Sequence, residues 1–93
     1  MTIQHEEKDN KGRFFVHEAG KDLAEMTYVR SGDDKIIIDH TEVDPSLKGQ
    51  GVGQKLVQAA VEKARKEHFK IMPLCPFAKS VFDKTKEYED VLF

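Results

Sequence analysis

The strongest constraint on this chain is a change of hydrophobic period across the ten residues from Asp44 to Gly53. Before it, Ala24, Met26 and Tyr28 fall on one side of a segment whose other side is Glu25, Thr27 and Val29. That is the two-residue alternation of a half-buried strand. After it, Val52, Leu56, Val57, Ala60, Val61 and Ala64 recur at helical spacing, the apolar stripe of an amphipathic helix. The chain must therefore build both a sheet and a helix that covers it. Asp44-Pro45-Ser46 ends the sheet segment, because proline cannot donate to a strand ladder.

Three strands are expected upstream: Arg13–His17, Leu23–Arg30 and Lys35–Val43. They are separated by the turn signals Glu18-Ala19-Gly20-Lys21-Asp22 and Ser31-Gly32-Asp33-Asp34. Short turns imply an antiparallel meander. Downstream, the helix runs to about His68 and Ile71–Leu74 reads as a short fourth strand. A second helix opens at Cys75-Pro76 and runs to about Thr85, since proline suits the first helical position. Tyr88–Phe93 is a tail expected to return an aromatic residue to the core. Residues 1–12 are polar and aperiodic and read as a flexible N-terminal lead; residues 13–93 read as a single domain. The order is β-β-β-α-β-α, an α+β fold. Its central strand–loop–helix–strand unit should cross over right-handed and make the third and fourth strands parallel.

Composition narrows the setting. With 93 residues and a mass of 10.6 kDa, the chain makes one small domain. A hydrophobic fraction of 39% against 34% charged residues fits a folded domain rather than a disordered tail. No apolar run exceeds the three residues of Ile36 to Ile38, too short for a membrane span, and the first residues lack the apolar core of a signal peptide. A net charge of −2 gives no electrostatic reason to expect nucleic acid. One cysteine, Cys75, excludes an internal disulfide and a cysteine-based zinc site, and His5, His17 and His68 show no metal-ligand spacing. A cytoplasmic protein without metal, monomeric or weakly dimeric through an exposed sheet edge, is the expectation.

The glycines of Lys48-Gly49-Gln50-Gly51-Val52-Gly53 stand between a strand and a helix. Glycine permits close approach to a ligand, and the helix start adds unsatisfied N–H groups and partial positive charge. Together they make an anion site suited to phosphate or pyrophosphate, with the charge of Lys48 at its rim. Gly53-Gln54-Lys55 lacks the Gly-Lys-Ser/Thr ending of a Walker loop. The antiparallel meander before the loop argues against a dinucleotide-binding fold.

The segment Glu42-Val43-Asp44-Pro45 through Leu47-Lys48-Gly49-Gln50-Gly51-Val52-Gly53-Gln54 resembles the acetyl-CoA signature of the GNAT N-acetyltransferase superfamily, Gln/Arg-x-x-Gly-x-Gly/Ala. Lys48 stands at the Gln/Arg position, and Gly51 and Gly53 at the two small ones. The resemblance implies a GNAT-like fold, with backbone N–H groups of Gly49, Gln50, Gly51, Val52, Gly53 and Gln54 holding the pyrophosphate of coenzyme A. It further implies that the end of strand Lys35–Val43 splays from its neighbour and hydrogen-bonds the pantetheine arm, with N–H groups near Val43 polarising the thioester. Later, Cys75-Pro76-Phe77-Ala78-Lys79-Ser80-Val81-Phe82 has the spacing of the family's Asn-x-x-Ala-x-x-x-Tyr. Cys75 replaces Asn, and Phe82 replaces the Tyr that protonates the leaving thiolate. Ordinary members are longer, with helices and a hairpin that build the acceptor site, so this chain resembles a minimal GNAT subfamily.

Three side chains are candidates for chemistry. Cys75 lies at a strand end and a helix start, a position that stabilises a thiolate; it is either an acetyl-accepting nucleophile or a small buried hydrophobe. His40 and Glu42 share one face of the third strand and are candidates for the base that deprotonates an amine acceptor. In GNAT enzymes a Glu on this strand plays that part. Asp39 and Thr41 fall on the opposite face and are left out. The expected function is acetyl transfer from acetyl-CoA to a small amine or a protein lysine, directly or through Cys75. The alternative is a coenzyme A or acyl-CoA-binding module with little or no transferase activity.

Overall fold

A computed structural model describes residues 1–93. Five strands form one sheet: β1 (Gln4–Lys8), β2 (Lys11–Glu18), β3 (Lys21–Arg30), β4 (Lys35–Val43) and, after helix α1 (Val52–Glu67), β5 (Lys70–Pro73). Helix α2 (Pro76–Lys84) follows, and short 3-10 turns occupy Pro45–Leu47 and Lys86–Val91. Strand order in space follows chain order. The first three pairings are antiparallel, and β4 runs parallel to β5 through the α1 crossover. The meander, the crossover and both helices thus match the α+β expectation, with boundaries shifted by a few residues at most.

Alternation decides where the core lies. Phe14 and Val16 of β2, Ala24, Met26 and Tyr28 of β3, Ile36 and Ile38 of β4 and Ile71 of β5 all point to one face. They join Leu56, Val57, Ala60, Val61 and Ala64 of α1 and Ala78, Val81 and Phe82 of α2 in one buried cluster, so both helices cover the same side. Tyr88 returns to the core with its ring against the edge of Phe82, centroids 5.8 Å apart. The opposite sheet face carries no helix. There the Arg13 guanidinium lies 3.8 Å over the Phe15 ring and meets Glu6, Asp22 and Glu25. No helix is long and apolar enough to cross a membrane.

Two features depart from simple alternation. The first is β1, where the sequence pattern predicts a free lead. All five of its residues are exposed, so no apolar pattern marks them as strand. Backbone pairing with β2 and polar side-chain contacts hold β1 instead. His5 Nε2 lies 2.6 Å from the Tyr28 hydroxyl, that hydroxyl donates to Glu7 at 2.5 Å, and Arg30 donates to Glu7 at 2.8 Å. His5 also packs on the Phe14 ring. Gly12 is required beneath this network, because a Cβ there would come within 2.4 Å of the Tyr28 ring and hydroxyl.

The second is a β-bulge in β4. Thr27 of β3 faces His40, but the next residue, Tyr28, faces Ile38, so Asp39 is an extra residue. Thr27 secures it by donating its hydroxyl to the Asp39 carboxylate at 2.6 Å. A bulge breaks the two-residue period and re-aims the side chains beyond it. Ile36 and Ile38 face the core before it; Thr41, opposite Met26, and Val43, opposite Ala24, face the core side after it. His40 and Glu42 consequently belong to the helix-free face.

Burial is the largest influence on His5 and lowers its pKa; Lys63 and Arg30 act in the same direction, Glu7 and Glu67 against it. A folded-state value below the unfolded one means that protons favour the unfolded chain. The stability involved is present above about pH 6.5 and is lost as pH falls below that. The drop in Tm between about pH 7.5 and about pH 5.5 is expected to be smaller in His5→Gln than in the wild type. Equal drops would show that His5 does not couple folding to protons.

Candidate functional site

The site begins where two strands part. The β4–β5 ladder pairs Lys35 with Lys70 through Ile38 with Pro73 and stops. The Ile38 carbonyl accepts from both Leu74 N–H at 2.9 Å and Cys75 N–H at 3.1 Å. Those bonds turn the chain into α2, and from Asp39 to Val43 the β5-side edge of β4 has no neighbouring strand. The resulting gap has the Cys75 thiol towards one end and the glycine loop at the other.

The loop is built in two stages. Asp44 caps the 3-10 turn, accepting the Ser46 N–H at 2.9 Å, and its carboxyl is held below the usual range by that bond and by Lys21. The chain then passes through left-handed conformations at Gly49 (φ 82°) and Gly51 (φ 68°), the second serving as the α1 N-cap. A Cβ at Gly49 would meet nothing, so backbone conformation alone asks for glycine there. Gly53 is different. A Cβ there would fall 2.4 Å from the ring of Phe77 on α2, so its absence lets the two helices pack closely.

Donor accounting shows what the loop offers. The first bond of α1 runs from Lys55 N–H to the Gly51 carbonyl at 3.1 Å. The N–H groups of Gly49, Gly51, Val52, Gly53 and Gln54 donate to no protein acceptor, and no side chain caps the helix. Gln50, expected among the anion-binding backbone donors, already gives its N–H to Leu47. Lys48 is exposed and makes no salt bridge. Val52 has its side chain in the core, and Val43 packs against the core at the loop end of the gap. Unsatisfied N–H groups at a helix start, beside an unpaired cation, fit the phosphates of a nucleotide-like ligand.

The three chemical candidates divide between the faces of β4. Cys75 is 5% exposed and is the N-cap of α2, its Sγ accepting the Ala78 N–H at 3.3 Å. The same sulfur lies 3.1 Å from Thr41 Oγ1. His40 and Glu42 project from the other face, with Nε2 and Oε2 3.5 Å apart and both side chains well exposed. They are brought together with each other but not with the Cys75–Thr41 contact. Beside Glu42, a cleft of about 110 Å³ is lined by Asp22, Leu23, Ala24, Glu25, Glu42 and Asp44. Within it Arg13, and then His17, hold the Asp22 carboxyl below its ordinary range. Phe82 is buried against Tyr88 and carries no group able to donate a proton. No cluster of His, Cys, Asp or Glu has metal-binding geometry.

Thr41 is the residue that sequence reasoning missed. Strict alternation sends it away from the core; the bulge returns it. The one trace in the sequence is Asp39, a polar residue breaking the run Ile36-Ile37-Ile38 in mid-strand.

A sheet whose last two strands, β4 and β5, part in front of a glycine-lined helix start is an acyltransferase-type scaffold, and similarity to known proteins agrees. The family model for GCN5-related N-acetyl-transferase matches residues 13–91, and the chain belongs to that family. It is similar to the solution structure of a GCN5-like protein from Staphylococcus aureus, with 41% identity over 97% of this chain and 87% of that one and a TM-score of 0.72. It shares its fold with the ribosomal-protein-S18-alanine N-acetyltransferase from Escherichia coli, at 17% identity and a TM-score of 0.67, over 84% of this chain and 53% of that one. A predicted acetyltransferase from Clostridium acetobutylicum, solved with acetyl-CoA, aligns at 15% identity and a TM-score of 0.62, over 80% of this chain and 55% of that one. The chain thus spans about half the length of these last two. A search of curated proteins returns no match.

The two kinds of glycine separate by substitution. Gly49→Ala should cost about 1–2 kcal/mol through left-handed strain. Gly53→Ala should cost about 1–3 kcal/mol through overpacking and should shift the Phe77 ring resonances in NMR spectra, which Gly49→Ala leaves in place. Unshifted Phe77 resonances in Gly53→Ala would refute the helix-contact role.

Proposed function

We propose that this protein binds acetyl-CoA along the open edge of β4 and transfers the acetyl group to an amine. The observation that supports this most is the gap itself: an unpaired strand edge with five unsatisfied N–H groups and a free lysine at one end and a thiol towards the other. When bound, acetyl-CoA supplies an activated acetyl thioester. The N–H groups of Gly49, Gly51, Val52, Gly53 and Gln54 hold its pyrophosphate, and Lys48 adds a full charge. The β4 backbone near Val43 hydrogen-bonds the pantetheine arm and orients the carbonyl.

On the helix-free face His40 takes the proton of the attacking amine, with Glu42 beside it to stabilise the imidazolium. Both are exposed, so an acceptor reaches them without any rearrangement of the fold. Asp22, Glu25, Glu42 and Asp44 make the approach acidic, which favours an acceptor that arrives as a cation, whether a small amine or a protein lysine.

One observation favours a second route. Cys75 Sγ already accepts a helix N-terminal N–H, which holds the sulfur in one orientation at the start of α2. In that route sulfur bonds to the acetyl carbon as the thioester C–S bond breaks, the Cys75 S–H proton passing to coenzyme A, which leaves as its thiol. The amine then takes the acetyl group and its displaced proton returns to Cys75 sulfur.

Acetyl-CoA and coenzyme A are expected to raise Tm, by the equivalent of about 2.7 kcal/mol at a hundredfold excess over Kd, and ATP to raise it less. No shift with either coenzyme A species would overturn the binding reading. With an amine panel, His40→Ala should lower kcat by about 10²-fold or more. Direct attack predicts an active Cys75→Ala and no adduct. The covalent route predicts an inactive Cys75→Ala and an acetylated Cys75 by mass spectrometry. Binding without turnover of any amine would leave a coenzyme A-binding module.

A further inference from the structure

We propose that Thr41 is a positioning residue for Cys75, its hydroxyl holding the thiol in place and following its proton. The proposal rests on the reading of Cys75 as part of the transfer site. Its grounds are geometric. Cys75 Sγ has two polar neighbours, the Ala78 N–H at 3.3 Å and Thr41 Oγ1 at 3.1 Å. They belong to different elements, α2 and β4, and Thr41 lies 34 residues away in sequence. The two contacts constrain the side chain from two sides, in a position only 5% exposed.

The two neighbours are not equivalent. An amide N–H can only donate, so it serves the sulfur whether or not the sulfur is ionised. A hydroxyl can both donate and accept. With Cys75 as a thiol, S–H donates to Thr41 Oγ1. With Cys75 as a thiolate, Thr41 O–H turns and donates to sulfur. Thr41 is thus the one side chain in contact that can satisfy both protonation states without moving a heavy atom. Hydrogen bonds to an ionised partner are about twice as strong as neutral ones, so loss of the hydroxyl should slow a reaction in which sulfur attacks as an anion.

The bulge is what makes this possible. Without Asp39 as an extra residue, alternation would send Thr41 to the helix-free face and aim His40 at the sulfur. The Thr27–Asp39 bond at 2.6 Å therefore supports the Thr41–Cys75 contact one step removed.

Alkylation of Cys75 by iodoacetamide, followed by intact mass, tests the proposal in the full-length protein without acetyl-CoA or acceptor. T41V keeps the shape and removes the hydroxyl; T41S keeps the hydroxyl. The expected result is alkylation about tenfold slower in T41V, with T41S close to the wild type. A purely structural role predicts the opposite sign, because loosened packing would expose the sulfur and speed the reaction. Equal or faster alkylation in T41V overturns the proposal. Should T41V fail to fold, the wild type decides. A Thr41 hydroxyl proton protected from exchange, with an NOE to the Cys75 β-protons, is expected, and a freely exchanging one refutes it. Slow T41V alkylation in a protein that acetylates nothing would sink the transfer reading and keep the role of Thr41. Equal alkylation rates alongside turnover would do the reverse.

Discussion

The carbonyl of Ile38 governs the rest of this structure. By accepting two N–H groups, from Leu74 and Cys75, it ends the β4–β5 ladder after four residue pairs. Everything that could hold a ligand depends on that ending. Had pairing continued, the β5-side groups of β4 would be spent on a strand, and Cys75 would sit within a ladder instead of starting a helix. Pro73 and Pro76 help, since neither can donate to a continuing strand and the second is suited to a first helical turn. The cost is a row of backbone groups without strand partners in a domain with little core to spare.

The Asp39 bulge complements that ending. The ladder stops at Ile38 on one side of β4, and the extra residue lies immediately after it. Of the five residues that lose their neighbour, the four beyond Asp39 also exchange faces. Thr41 and Val43 turn towards the helices, His40 and Glu42 towards solvent. A ligand in the gap would have a sulfur and a hydroxyl on one side and an imidazole and carboxylates on the other. On the proposed function, such separation would keep the groups beside the acyl carrier apart from those that meet an incoming amine.

Most of the fold was legible because its elements advertise themselves through burial. The α1 stripe, the strand Lys35–Val43 and the crossover were readable from period and punctuation. The two misses share one physical cause. Strand β1 fully buries none of its side chains, and its His5 and Glu7 contacts reach residues more than twenty positions along the chain, which no local pattern encodes. The bulge is a single-residue slip in pairing with β3, again a long-range event. The glycine loop was legible as a loop, but its three glycines were not separable. Only the structure distinguishes Gly49 and Gly51, needed for their dihedral angles, from Gly53, needed because of Phe77.

The Gly53–Phe77 contact also has a mechanical meaning. Gly53 is in the first turn of the helix that carries the loop, and Phe77 is two residues beyond Cys75 on the other helix. Ring against backbone, they tie the helix that carries the loop to the helix that the thiol caps. The span between them then behaves as a gauge of set length. On the binding proposed above, a molecule with an anion at one end and a reactive group at the other would be measured before any chemistry begins, and one too short or too long would engage the loop or the thiol, but not both.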